Sequence, residues 1–149
     1  MMRPQEWRFG KHIARWEAPD VLWMRIDGAN GMEETPPMVK LLETLAEQGP
    51  FFVLADFKGA GALDPEARRY MSERVRSAWF LGLILYDTRL LHRAMARGLI
   101  FAAELFHAVP GASLMRQRLH FASTQDDAQA MLEQLRVQVD GVSLHLPRA

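Results

Sequence analysis

The chain has 149 residues, of which 49% are apolar and 24% are charged, the size and balance of one ordinary globular domain. Its 18 basic and 18 acidic residues cancel, so no overall field favours nucleic acid or an acidic membrane. The lack of cysteine excludes disulfides and thiolate chemistry. The longest apolar run, residues 79–86, is far shorter than the roughly 20 residues of a membrane span. With no secretory signal visible, we expect a cytoplasmic protein without an integral membrane segment.

Two strands are predicted near the N-terminus. Apolar and polar residues alternate over residues 7–13, and residues 21–26 form a second, mostly apolar strand. The short connection with turn-forming residues between them favours an antiparallel hairpin. Residues 27–31 are expected to end the second strand. A helix is predicted over residues 33–48, with Thr35 as its cap.

Two continuous apolar runs dominate the middle of the chain. Residues 51–55 and 79–86 have the length of strands and the composition of strands that are covered on both faces, as in a parallel sheet. A loop rich in glycine and alanine is predicted over residues 57–63. The pair Asp64-Pro65 then predicts a helix start, because aspartate caps helices and proline is favoured at the first helical position.

The C-terminal part continues the alternation of helices and strands. A long helix is predicted over residues 90–107, a short strand over residues 119–122, and a further helix after Ser123, where two hydroxyl residues precede two acids. We expect a single domain over residues 1–136. Residues 137–149 are expected to form a tail or an added strand, because their first part alternates like a strand.

The resulting order, β-β-α-β-α-β-α-β-α, predicts an α/β fold with a mixed, mostly parallel sheet of about five strands and helices on both faces. Three segments carry a family pattern: residues 52–57 (FVLADF), 83–87 (LILYD) and 119–123 (LHFAS). With these segments the chain resembles the STAS domains of anti-sigma-factor antagonists, in their SpoIIAA-like branch, and it is also similar to the lipid-binding domains of the SEC14/CRAL-TRIO group. The resemblance implies a STAS topology and a binding module for regulatory partners, nucleotides or lipids.

One feature of that family is missing. Its regulatory antagonists carry a phosphorylatable serine just after the central strand, whereas residues 58–69 of this chain contain no hydroxyl side chain. A phosphate switch at that position is therefore chemically excluded. We expect a non-enzymatic regulatory or binding module; the alternative is a small carrier that encloses an apolar ligand or lipid.

The sequence offers no catalytic constellation. None of the five histidines has the spacing of a metal site, and no serine sits in a nucleophile elbow. We therefore expect no catalytic residue, no metal site and no cofactor. Nucleic-acid binding is not expected either, because no aromatic platform accompanies the basic residues.

Charged residues follow the two central strands. Asp56 and Asp87 end adjacent βα units, and the carboxyl ends of parallel strands meet at one rim of the sheet, where α/β folds bind ligands. Together with Lys58 and Arg89, they are the candidate ligand-binding residues. The alternative is structural, with each aspartate accepting hydrogen bonds from backbone amides to hold a loop or cap a helix.

The predicted helix over residues 90–107 is apolar on too many sides. Its second half has Glu104 as its one charged residue, although a surface helix of a monomer should not be apolar nearly all round. Something must cover the surplus face: residues 137–146 of the chain itself, a second copy in a two-fold dimer, or an apolar ligand. The candidate interface residues are Leu99, Ile100, Ala103 and Phe106.

Overall fold

The structure is a computed structural model that describes residues 5–90, 92–94, 97 and 118–145. Six strands are described: β1 (Glu6–Phe9), β2 (His12–Glu17), β3 (Val21–Asn30), β4 (Phe51–Leu63), β5 (Phe80–Tyr86) and β6 (Leu119–Ala122). The helices are α1 (Thr35–Ala46), α2 (Pro65–Arg74) and α3 (Gln125–His145), with a 3-10 turn at Ser77–Trp79. Short stretches between residues 90 and 97 are also helical.

The strands form one mixed sheet in chain order, β1-β2-β3-β4-β5-β6. The pairs β1–β2 and β2–β3 are antiparallel, and the three remaining pairs are parallel. Helices α1 and α2 make the crossovers from β3 to β4 and from β4 to β5. Because successive parallel strands advance in one direction, right-handed crossovers place both helices on the same face. The predicted fold class, a mixed and mostly parallel α/β sheet with helices on both faces, is confirmed, with six strands in place of about five.

The sixth strand comes from the N-terminus, where the prediction of one strand over residues 7–13 is wrong. The chain turns back at Gly10, so that Phe9 pairs with His12. Gly10 has a positive φ of 59°, the backbone region that tight hairpin turns require and glycine adopts without penalty. A two-residue turn does not interrupt the alternation of apolar and polar letters, so the sequence pattern reads as one strand.

Strands β3 and β4 run further than predicted. Residues 27–30 and 57–63, which were expected to break the strand and to form a loop, are paired with each other in parallel. The ladder contains two register shifts, and at each of them β4 has one extra residue. The glycines of this stretch allow the two backbones to approach closely, which the hydrophobic pattern of either segment alone does not indicate.

Two helix boundaries also differ from the predictions. The cap of α1 is Glu34, not Thr35, whose hydroxyl is buried and donates to Asn30 Oδ1 over 2.9 Å. Helix α3 continues through His145, so the expected strand or tail after residue 136 is helical over most of its length. Thr124 Oγ1 accepts from the amide of Asp127 (3.2 Å), and a helix nucleated in this way propagates at little further cost.

Helices cover both faces of the sheet. On one face α1 and α2 enclose the larger core with alternate residues of the central strand, among them Phe51 and Val53. On the other face α3 packs on the intervening residues, with Leu54 and Ile84 fully buried beneath it. The candidate interface residues lie outside the described part of the chain: Leu99, Ile100, Ala103 and Phe106.

Candidate functional site

A row of polar side chains crosses three parallel strands. Arg25 of β3 pairs with Asp56 of β4, and Asp56 pairs with Tyr86 of β5. Residues in register on neighbouring strands point to the same side of a sheet. Tyr86 packs with Leu54 and Ile84, so the row lies on the face of the sheet that α3 covers. It follows the apolar residues of these strands.

Just beyond this row, β4 bulges. One extra residue separates the pair Arg25–Asp56 from the pair Asp27–Gly59. A bulge leaves a backbone amide outside the ladder, and here the amide of Lys58 donates to Asp56 Oδ1 over 2.9 Å. The structural role proposed for Asp56 from the sequence, capture of a backbone amide, is therefore present, and the second carboxylate oxygen faces Arg25.

The bulge and the end of the row surround a depression of about 380 Å³. Its lining residues are Arg25, Ile26, Asp27, Asp56, Lys58 and Gly59. The four charged residues of this set, Arg25, Asp27, Asp56 and Lys58, are called the rim site below. Arg25 Nε lies 3.9 Å from Asp56 Oδ2, and the Arg25 side chain is 67% exposed. A long, exposed ion pair of this kind contributes little to stability, so the guanidinium is free to meet another group.

Tyr86 lies beside these charges as a neutral phenol. Burial raises its pKa to about 12, and the neighbouring carboxylate of Asp56 acts in the same direction, while Arg25 opposes it. Desolvation and a nearby negative charge both disfavour the phenolate. At neutral pH, Tyr86 therefore adds no charge to the row.

The structure brings together two of the four residues that the sequence singled out. Asp56 and Lys58 line the depression, whereas Asp87 and Arg89 do not. Asp87 directly follows β5 and has a φ of 53°, a left-handed conformation that aspartate tolerates better than most residues. The amide of Arg89 donates to His92 Nδ1 over 3.3 Å. Ligand binding by these four residues remains a prediction.

Two members of the rim site, Arg25 and Asp27, were not predicted as site residues from the sequence. They follow the apolar first part of β3, as Asp56 follows the apolar first part of β4. That shared position was the available signal, but only the register of β3 against β4 shows that the residues meet. Over the described ranges, no group of three or more histidine, cysteine or acidic residues could hold a metal ion. Nor does any helix in those ranges have the length and apolar character needed to cross a membrane.

Comparison with known proteins supports the fold. No protein-family model and no curated protein matches this chain. A similar solved structure is described as the anti-sigma factor antagonist SpoIIAA in its unphosphorylated form; its TM-score is 0.51 at 11% sequence identity, over 80% of this chain and 96% of that one. At this identity the likeness shows the fold, and it confirms the predicted STAS topology.

Proposed function

We propose that this protein is a non-enzymatic regulatory module that binds a protein partner at the rim site. The observation that carries the proposal is the exposed and weakly paired Arg25, which stands with Lys58 between two carboxylates at the bulge in the β3–β4 ladder. The neighbouring strand β5 ends at this level, at Tyr86, which pairs with Asp56, and the carboxyl ends of parallel strands are where α/β folds bind their ligands. The fold supports a partner of this kind, because the similar structure is described as an antagonist of an anti-sigma factor.

The proposed module differs from a phosphorylation switch. Residues 58–69 contain no hydroxyl side chain, and the first half of this segment, through Leu63, belongs to β4, with Gly59, Ala60 and Leu63 paired to β3. Added phosphate acts by introducing charge at a serine, threonine or tyrosine. We therefore propose that binding at the rim site depends on the concentration of the partner, without covalent control at the segment after the central strand.

The charged lining favours this module over a carrier of apolar ligands. A carrier site is expected to be enclosed and mostly apolar, whereas four of the six residues that line the depression are charged. The cavity that a carrier would need was expected beside residues 90–107, most of which lie outside the described ranges. The measurement below therefore includes a direct search for a bound lipid.

Reversing both cations of the rim site should abolish partner binding. We expect the double variant Arg25→Glu/Lys58→Glu to capture at least about tenfold less partner from an extract of the source cells, because like charges across an interface are strongly unfavourable. A matched control is Lys40→Glu/Arg68→Glu, which reverses two exposed cations on α1 and α2. Captured proteins are quantified by mass spectrometry, and only a protein retained by the wild type and the control counts as the partner.

Two outcomes would contradict the proposal. Equal capture by the wild type and by the rim-site variant would show that the partner binds elsewhere. A lipid that remains bound to the purified protein in native mass spectrometry, with no protein partner, would favour the carrier. Thermal melting of both double variants checks that they are folded, since exposed charge reversals usually change stability by no more than about 0.5 kcal/mol.

A further inference from the structure

Strand β1 is a free edge of the sheet in the part of the chain that the structure describes. It pairs with β2 on one side, and no other described strand pairs with it. The amide of Trp16 donates to the carbonyl of Gln5 over 2.9 Å, so the backbone groups of Gln5 point toward β2. Because this direction alternates along an antiparallel strand, Trp7 also bonds toward β2, while the N–H and C=O groups of Glu6 and Arg8 point away from the sheet.

The side chains of β1 limit which strand this edge can accept. Unpaired backbone groups at an edge are a template for a further strand, and charged side chains are the usual protection against unwanted pairing. Here Glu6 and Arg8 are exposed and carry opposite charges, and Trp7 between them packs against the larger core while remaining partly exposed. The charges of the incoming strand therefore decide whether it pairs.

The sequence Glu6-Trp7-Arg8 is complementary to itself when it runs in the opposite direction. If two copies pair their β1 strands in antiparallel fashion about a two-fold axis at Trp7, each Glu6 lies opposite the Arg8 of the second copy. Both residues have outward backbone groups, so they form the hydrogen-bonded pairs of this ladder. The two tryptophans form the non-hydrogen-bonded pair, in which side chains lie closest. Opposite charges and aromatic rings are both favourable across antiparallel strands.

The other registers that align these outward groups are unfavourable. They place Glu6 opposite Glu6 or Arg8 opposite Arg8, and like charges directly opposite each other are destabilising. The first of them would also place Pro4 opposite Arg8, although proline has no amide hydrogen to donate. The favourable register is symmetric, as the contact of a two-fold dimer requires.

The ion pair within β1 is compatible with this arrangement. Arg8 Nη2 lies 3.4 Å from Glu6 Oε1, and the two side chains are 72% and 45% exposed. An exposed contact of this kind contributes little to stability. Around the two-fold axis, each carboxylate would lie beside the guanidinium of its own strand and across from that of the second copy, so the four charges alternate in sign.

We infer that β1 binds β1 of a second copy of this chain, in an antiparallel pair centred on Trp7 that joins the two sheets into one. The inference is independent of the proposed function, because neither Glu6, Trp7 nor Arg8 belongs to the rim site. It also uses a different surface from the candidate interface over residues 90–107. Because the ladder is short, the contact is small, and we expect a weak dimer that dissociates on dilution.

Charge exchange tests the register. Sedimentation equilibrium should show a monomer–dimer equilibrium for the wild type. Arg8→Glu and Glu6→Arg each place two pairs of like charges across the axis, so each should weaken dimerisation at least about tenfold. The double variant Glu6→Arg/Arg8→Glu restores both opposite-charge pairs and should recover the wild-type dissociation constant. An equimolar mixture of the two single variants should recover it as well. Arg68→Glu, an exposed charge reversal on α2, is the matched control that should leave dimerisation unchanged.

Hydrogen exchange shows where the two copies meet. In amide-resolved NMR of the concentrated wild type, the amides of Glu6 and Arg8 should exchange slowly, because the second strand accepts their hydrogen bonds. They should exchange rapidly after dilution and in Arg8→Glu. A dimer in which these amides stay unprotected would place the contact elsewhere. Slow exchange of the same amides in the dilute monomer would show that the chain itself covers this edge.

The sedimentation data can overturn the inference in two further ways. A wild type that stays monomeric at every concentration would exclude the dimer. Folded single variants that dimerise as tightly as the wild type, or that fail to associate when mixed, would exclude the proposed register. Thermal melting of each variant checks that it is folded. None of these results bears on the rim-site variant, whose loss of its partner is measured separately.

Discussion

Alanine at Gly61 is expected to destabilise the protein by about 1–3 kcal/mol, the range for overpacked sites. A Cβ at this position would lie 2.8 Å from the carbonyl carbon of Gly28 and 2.9 Å from the amide nitrogen of Ala29. Both are backbone atoms of β3, and they cannot move away without breaking the ladder that joins β3 to β4. The free energy of unfolding, measured by urea denaturation, should fall accordingly.

Gly59→Ala is the matched control. A Cβ at Gly59 would lie 2.8 Å from Asp27 Oδ1, a side-chain atom that can rotate away. Neither glycine has a positive φ, so both substitutions restrict the unfolded chain to the same extent. We therefore expect a clearly smaller loss for Gly59→Ala. Equal losses for the two variants would show that the close approach of Gly61 to β3 is not what limits this position.

These glycines also show where prediction from the sequence ends. The apolar parts of the central strands were predicted correctly, because continuous apolar runs need cover on both faces. The start of α2 was predicted correctly because Asp64 and Pro65 mark it locally. Asp64 accepts a hydrogen bond from the amide of Glu66 over 3.3 Å. The extension of β4 through residues 57–63 has neither a continuous apolar run nor local residues that mark its structure. It forms because small residues let one backbone lie against another, a property of the pair of strands that neither segment reveals alone.

The candidate site was half predictable for a related reason. Asp56 and Lys58 stand directly after an apolar run, so the sequence alone places them where the apolar part of β4 ends. Arg25 and Tyr86 join Asp56 only through the register of three strands. Hydrophobic periodicity identifies strands and the face that each residue takes, but it does not align one strand with the next.

Acidification below pH 6.5 is expected to destabilise the protein through His12. This side chain is 1% exposed, and its Nδ1 accepts from the amide of Asp27 over 3.0 Å. That amide lies just beyond the last β2–β3 pair, Ile13–Arg25. Because Nδ1 is an acceptor, the proton of the neutral imidazole is on Nε2, which makes no hydrogen bond in the described part of the chain.

Burial lowers the pKa of His12 from its ordinary value of 6.5, while Glu34, the Ala29 backbone and Asp27 oppose this shift more weakly. Between the folded and unfolded pKa values, the unfolded chain binds more protons than the folded one. The free energy of unfolding therefore rises with pH across this interval. The stabilising contribution is complete above about pH 6.5 and is lost as the pH falls toward the folded pKa. Stability is lost on protonation because a protonated Nδ1 of His12 would point a hydrogen-bond donor at the Asp27 amide, which is itself a donor.

The substitution His12→Leu separates this effect from other titrations. It leaves the Asp27 amide without its acceptor, so we expect a loss of about 1–3 kcal/mol at pH 7.5, the cost of an unsatisfied buried donor. The loss should shrink as the pH falls to 5.5, because the wild type then loses the same contact. His120 also has a pKa lowered by burial, and His120→Leu is therefore the control that should keep the pH dependence due to His12. An NMR titration of the His12 ring gives the pKa of His12 in the folded protein directly. A pKa at or above 6.5 would contradict the role assigned to this hydrogen bond. So would free energies of unfolding that change in parallel with pH in the wild type and in His12→Leu.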